Sequence, residues 1–461
     1  MSKLTDVGDW VEDRLPALLS EHLVPGAAVA ISVGDEVVET ACGVLSKATG
    51  VEATVDSVFQ IGSITKVWTA TLAMQLVDEG LLALDAPIRT YVPGFTIGDD
   101  AAAETVTVRQ LMCHTSGFEG DIFTDTGWDD DCLEKYVAGL ADVPQLLSPG
   151  ELFSYNNAGY CVLGRIVELV RGKPYDTCLR EHLFEPLKLT HAATAPWEAI
   201  LHRAAVGHIQ PTPDARPVPA PVWSLMRSNA PAGAMLAMCP RDLLAFARMH
   251  LSEGTGPDGA AVLTPASVKA MQQRQVELPE LGMMGDAWGL GWELFDLPGG
   301  SVIGHDGGTV GQAAFLRVAP EQGVSVAVLT NGGDAIPVYV EVVGRVLRDL
   351  TGIELPPLPV PDPDAPPVDA ARYVGTYSST VSESVVSQDG EGRLWLERTP
   401  KGILADIAGT PEKTELVGWR EDTLLPAKPN HGMHSPYAFL GDDGSGRALY
   451  LHTGRADPRQ S

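Results

Sequence analysis

Apolar residues recur at helical spacing near the start of the chain (Leu4, Val7, Trp10, Val11, Leu15) and predict an amphipathic first helix. The apolar-rich segment Ala27–Val33 and its neighbour Glu36–Thr40, parted by Gly34-Asp35, predict a hairpin. From Ser63 to about Leu251 the pattern is helical. The stretch carrying Ile64, Val67, Trp68, Leu72, Met74, Leu76 and Val77 predicts a buried helix that stops at Gly80. Strand patterns return at Val302–Gly304, Gln312–Val318 and Val324–Leu329, and Val338–Leu350 predicts a closing helix. Strands at both ends with helices between them imply an α+β domain: a sheet assembled from both ends of the segment, with the helical middle as a second lobe. A cleft between the lobes is the expected place for a substrate.

The pattern breaks at Leu355–Pro367, which is too rich in proline for a helix or a central strand. The chain is therefore divided into residues 1–354, a linker over 355–371, and a second domain over 372–461. That last part alternates short strand candidates (Tyr373–Tyr377, Val385–Ser387, Arg393–Arg398, Glu415–Gly418, Tyr437–Leu440, Ala448–Thr453) with turns rich in Gly, Asp and Pro. Such spacing predicts a small antiparallel barrel or sandwich.

Composition narrows the function. A formal charge of −28 argues against nucleic acid and anionic membrane surfaces, which require basic patches. No run approaches the roughly twenty apolar residues of a membrane span, and charges interrupt the N-terminal segment too often for a signal peptide. The six cysteines are scattered without a Cys-x-x-Cys pair and read as buried reduced thiols. Together these features predict a cytoplasmic protein with no metal site and no cofactor.

Ser63-Ile64-Thr65-Lys66 carries the candidate chemistry. Residues three apart are neighbours on a helix, so the Lys66 amine can reach the Ser63 hydroxyl. A lysine kept from water can be neutral enough to take the serine proton. Alone, Ser-x-x-Lys is also what an ordinary helix start with an exposed lysine looks like. Two later segments supply candidate partners. In Tyr155-Asn156-Asn157 the tyrosine can relay a proton, and the Asn157 amide can hold a substrate carbonyl and Lys66; the plainer reading is a turn with Asn157 as helix cap. In Gly304-His305-Asp306-Gly307-Gly308, glycines let a substrate backbone lie against a strand, and a backbone N–H there can complete an oxyanion hole with that of Ser63. His305 is a candidate to bond the tyrosine or an acyl group's carboxylate; the plainer reading is a glycine-rich turn with His305 in solvent.

Ser63-x-x-Lys66, Tyr155-x-Asn157 and His305-x-Gly307, in this order, resemble the three active-site motifs of penicillin-recognising serine acyl enzymes: class C β-lactamases, D-Ala-D-Ala carboxypeptidases, and the related esterases and D-aminopeptidases. Phe59–Lys66, Thr107–Gly117 and Ala230–Leu244 are also similar to family segments, and the resemblance covers roughly residues 10 to 352. It implies a β-lactamase/transpeptidase-like domain, an antiparallel sheet flanked by helices plus a helical lobe. It also implies Ser63, Lys66 and Tyr155 as catalytic residues, with Asn157, His305, Gly307 and Gly308 at the substrate and oxyanion positions. His114, inside one of the shared segments, is read as structural. β-Lactamases of this type carry lysine at the position of His305, so the histidine implies poor β-lactam hydrolysis.

The C-terminal domain resembles the lipocalin-like domain of the penicillin-binding-protein-type thioesterases of nonribosomal peptide synthesis. That resemblance implies a stand-alone enzyme that takes a linear peptidyl thioester from a peptidyl carrier protein onto Ser63. Release is by head-to-tail cyclisation at a D-configured C-terminal residue. An intracellular esterase or D-amino-acid-specific peptidase is the alternative, and an inactive ligand sensor a third. Arg455 is the candidate to enter the site from the second domain, unless it is simply exposed on the last strand. Trp223 and Trp288 are candidates to line the cleft or to be core. Whether Lys66 or Tyr155 is the base stays open at this point.

Overall fold

The computed structural model describes every residue except Met1, 211–214, 363, 365–367, 403–404, 406–410, 431–432 and 461. The first helix, Lys3–Glu21, is capped by Ser2 and buries Leu4, Val7, Val11, Leu15, Leu18 and Leu19. It packs with the closing helix Ala335–Thr351 on one face of an eight-stranded antiparallel sheet. The strands run, edge to edge, Glu36–Gly43, Gly26–Val33, Val324–Thr330, Gln312–Ala319, Gly300–Thr309, Glu293–Leu297, Ala287–Trp288 and Val276–Glu277. The sheet is thus built from both ends of the segment, as the pattern predicts.

The period-2 geometry of a strand explains why Gly26–Val33 is apolar throughout. Ala27, Val29 and Ile31 face the two terminal helices, while Ala28 and Ala30 face the helical lobe. Small residues on the lobe side let that sheet face lie close to the core, where Trp68 stacks on Phe246 at 4.0 Å. The helix Thr65–Asp78 is buried around nearly its whole circumference, Lys66 included.

One expectation needs correcting. The glycine-rich segment around His305 is not a turn between strands. Gly300–Thr309 is a single ten-residue strand, with Gly304, His305, Gly307 and Gly308 all within its ladder to Gln312–Ala319. Glycines defeat strand propensity when read locally, but here a second backbone lies against them (below). Arg317, 1% exposed, reaches back from the neighbouring strand and holds both oxygens of Asp306 at 2.6 and 3.0 Å. Its guanidinium also lies over the rings of Phe295 and Tyr339.

Beyond the proline-rich segment, of which residues 363 and 365–367 lie outside the described residues, a second eight-stranded sheet runs in simple sequence order. It begins at Gly375–Ser378 and ends at Ala456–Pro458, and the pair Tyr377–Arg459 brings its two edges together. Six of its strands overlap the segments expected from sequence; Thr423–Pro426 and Ala456–Pro458 were missed because each is short and contains or borders proline or glycine. The six cysteines are unpaired, five of them buried. No described helix is long and apolar enough to cross a membrane.

Because buried Arg317 holds both oxygens of the half-buried Asp306, removing it leaves that carboxylate uncompensated. Arg317→Ala is expected to lower unfolding stability by about 3 kcal/mol in urea titrations followed by tryptophan fluorescence. A loss below about 1 kcal/mol counts against this pair as the anchor of the strand.

Candidate active site

Ser63 sits in one 3₁₀ turn, Gly62–Ile64, which runs directly into the Thr65–Asp78 helix. One turn on, Lys66 Nζ lies 3.1 Å from Ser63 Oγ and donates to the Ala232 carbonyl at 2.6 Å. The amine is enclosed by the rings of Tyr155 and Tyr160, 4.7 and 5.7 Å from their centroids. Burial lowers its pKa from the ordinary 10.5 to about 7. At neutral pH a large share of Lys66 is therefore uncharged and able to accept a proton from the serine beside it.

Backbone crossings hold the serine in place. A Cβ at Gly307 would fall 1.9 Å from the Ile61 carbonyl oxygen and 3.0 Å from Ser63 N, so only glycine lets the Gly300–Thr309 strand come this close. A Cβ at Gly62 would lie 2.6 Å from Gly308 N. The N–H groups of Ser63 and Gly308 accordingly sit at one crossing, as an oxyanion hole requires. On the far side Gly233, at φ +121°, presses against the Gly62 carbonyl; nothing in the sequence pattern singled it out.

Tyr155 is buried against His114, stacked at 4.3 Å, and meets Trp288 edge-on at 5.8 Å. Burial pushes its phenol well above the usual value, with the neighbouring Ser63 hydroxyl acting in the opposite direction. The phenol therefore stays protonated near neutral pH, a donor and not a base. His114 is structural in a specific sense. It takes a left-handed backbone at φ +58°, accepts the Asn156 N–H on Nδ1 at 2.9 Å, and forms the floor beneath the tyrosine. Trp288 is core, fully buried under Tyr155 and His305, and Trp223 is tied to the Ala205 carbonyl by its indole N–H.

Two expected roles change. The helix cap is Asn156, whose side chain accepts the Gly159 N–H; Asn157 is the first helical residue. The Asn157 amide does not hold Lys66: it donates to Asp121 Oδ1 at 2.7 Å, while Lys66 bonds Ser63 and Ala232. Nor is His305 in solvent or on the tyrosine. It is 1% exposed, with Nδ1 2.7 Å from the Asp306 carbonyl and 3.6 Å from Glu293. Burial, reinforced by Lys66, lowers its pKa to about 3, and burial together with Asp306 pushes Glu293 well above the carboxylate range. His305 is therefore neutral at physiological pH and offers no charge to an acyl group's carboxylate.

The second domain completes the site. Arg455 enters as expected, its guanidinium 4.8 Å from the Tyr155 ring centroid and paired with both oxygens of Asp121 at 3.0 and 3.1 Å. The Tyr155 N–H donates to the Gly454 carbonyl at 2.9 Å, His452 bonds the Phe153 carbonyl, and the Ala456 N–H donates to Ser154 Oγ. Further out, Thr380 donates through both its N–H and its hydroxyl to Glu119. Beside Tyr155 the two domains line a partly open cavity of about 630 Å³. Asp121, Glu119, Ala232 and Gly454 were not singled out by sequence, because each acts through a partner more than thirty residues away.

A separate trio, His191, Cys239 and Asp242, brings three possible metal-ligand atoms within 4.8 Å. Asp242 is already engaged by the backbone N–H groups of Thr190 and His191, and burial raises the Cys239 thiol to about 12. These residues fit a helix start better than a metal site.

Comparison with known proteins agrees with this geometry. A family model described as Beta-lactamase matches residues 11–343. "Penicillin-binding protein 4" from Amycolatopsis lactamdurans is 44% identical over 374 residues, 81% of this chain and 97% of that protein. Among solved structures, SurE superimposes with a TM-score of 0.77 at 28% identity, over 99% of this chain and 100% of that one. SurE with D-Leu gives 0.73 at 27%, over the same shares of the two chains. The D-amino acid amidase from Ochrobactrum anthropi SV3 shares the fold of the first domain, with a TM-score of 0.63 at 24% identity over 75% of this chain and 99% of that one. With the serine, lysine and tyrosine assembled as described, the chain belongs to the β-lactamase family of serine hydrolases.

Proposed function

We propose that the protein is a peptidyl acyl transferase: it takes a peptidyl thioester with a D-configured C-terminal residue onto Ser63 and releases it by attack of the peptide's own amine, closing a ring. The observation that carries this reading is the seating of the second domain on the Tyr155 loop, where Arg455 covers the tyrosine and the two domains line one partly open chamber beside it. Likeness to SurE over essentially both whole chains, and the D-Leu in one of its structures, supports the D-residue. The acyl donor is delivered on a peptidyl carrier protein.

In this scheme neutral Lys66 takes the Ser63 proton as Oγ attacks the thioester carbonyl, and the N–H groups of Ser63 and Gly308 hold the oxyanion. The thiolate leaves with a proton from Tyr155, which Lys66 restores. The incoming amine then attacks the ester carbonyl, the new C–N bond forms as the bond from the carbonyl carbon to Ser63 Oγ breaks, and the amine's proton returns to Oγ through the same groups. Tyr155, held protonated by burial, serves as donor, and the base is Lys66. A chamber narrowed by the second domain favours the tethered amine over water by proximity and by restricting solvent. The neutral His305 suits acyl groups without a carboxylate, which separates this site from penicillin hydrolysis.

The first experiment is mass spectrometry of products from a linear peptidyl thioester ending in D-Leu, wild type beside Ser63→Ala. A product lighter than the free acid by one water, formed only by wild type, is expected. Free acid alone selects the esterase or D-peptidase reading. Absence of any Ser63 adduct, with a fluorophosphonate probe also failing to label Ser63, selects a ligand-binding protein.

Acylation depends on uncharged Lys66, whose ammonium loses its proton as pH rises through about 7. Single-turnover acylation of Ser63 should therefore climb between pH 6 and 8, with its half-maximum near 7, and level off above; a profile still rising at pH 10 contradicts a desolvated base. Lys66→Ala is expected to slow the same step by about 10²–10⁴-fold.

Deleting the second domain is a poor test of its role, since it also strips the Tyr155 N–H of its acceptor. Arg455→Ala keeps the domain seated and opens the chamber over the tyrosine. The hydrolysed share of product is expected to rise several-fold, and an unchanged ratio counts against water exclusion by this residue.

A further inference from the structure

We propose that Asp457 receives the free ammonium group of the acyl chain, making the inter-domain cavity a binding site for a peptide with an unblocked amino end. This rests on the acyl-transfer reading and assigns the place of the nucleophile within it.

Asp457 lies in the last strand, Ala456–Pro458, and lines the same cavity as Tyr155 and Arg455. It is 7% exposed, with one carboxylate oxygen accepting from Ser382 Oγ at 3.2 Å. Among the described residues no cation forms an ion pair with it, and its other oxygen has no hydrogen-bond partner. Burial raises its pKa to about 6, against the pull of the more distant Arg398. Close enough on the cavity wall to favour the charged carboxylate, the Ser379 hydroxyl is itself buried without a well-formed hydrogen bond. A buried hydroxyl of this kind, beside a carboxylate oxygen that opens to the cavity, marks a place for a donor entering from it.

The chemistry of that donor follows from the arrangement. A primary ammonium carries three N–H donors and a positive charge, which matches the free Asp457 oxygen, Ser379 Oγ and Ser382 Oγ. The carboxylates deeper in the chamber are already taken: Asp121 by Arg455 and Asn157, Glu119 by Thr380. Asp457 is the buried one left for a ligand. Its position also fits. Asp457 and Arg455 both line the cavity beside Tyr155. An amine held by Asp457 lies in the cavity that Tyr155 also lines, and once it leaves one proton on the Asp457 carboxylate its nitrogen is free to attack an ester on Ser63.

The test uses the full-length Ser63→Ala protein, which cannot form the ester, titrated calorimetrically with a linear peptide ending in D-Leu. The peptide carries either a free or an acetylated amino terminus. The free-amine peptide is expected to bind at least about tenfold more tightly. Asp457→Asn in the same background should bring the two affinities together, while Asp457→Glu, which keeps the charge, should preserve the difference. Equal binding of the two peptides, or no binding of the free-amine peptide up to millimolar concentration, overturns the inference. Turnover plays no part in this readout. Failure of wild-type Ser63 to accept an acyl group from the thioester instead overturns the acyl-transfer reading.

Discussion

Holding the Lys66 amine away from water is the constraint around which the rest of the molecule is arranged. Charging it inside the fold is disfavoured by about 5 kcal/mol relative to water, at ~1.4 kcal/mol per pKa unit. The helix that carries it is buried on nearly all sides, two tyrosine rings close over it, and one carbonyl, that of Ala232, accepts its proton. The same enclosure acts on its neighbours. Tyr155 retains its proton, His305 refuses one, and Glu293 holds its proton more tightly than a free carboxyl does. The interior of the site thus carries less net charge than its composition suggests, and the groups differ in role because burial moves acids and bases in opposite directions.

Periodicity made most of the first domain legible. The terminal helices, the hairpin at Gly34-Asp35 and the buried helix after Ser63 all follow from where apolar residues fall. The Ser63–Lys66 contact was legible for the same reason, since helical spacing fixes it. What escaped was whatever depends on a distant chain segment. The His305 strand looked like a turn because glycine has no strand propensity of its own; the reason for those glycines, the approach of Ile61 and Ser63, is about 245 residues away. From its place two residues after Tyr155, Asn157 reads as a partner of Lys66, but its amide turns to Asp121, a residue that carries no local signal.

His305 also marks how far a motif can be carried. A lysine at that position keeps its charge more readily and can meet a carboxylate, whereas a buried imidazole bonded through Nδ1 to a carbonyl cannot. The two share a place on the strand and differ in what they select.

The hydrogen bond from the Tyr155 N–H to the Gly454 carbonyl, together with those at Phe153 and Ser154, means that one domain finishes the backbone of the other's reacting loop. The tether between them is short and rich in proline. Such a tether keeps the second domain at an effective concentration on the order of millimolar, so even a modest contact is occupied most of the time. Closure then needs no large interface of its own.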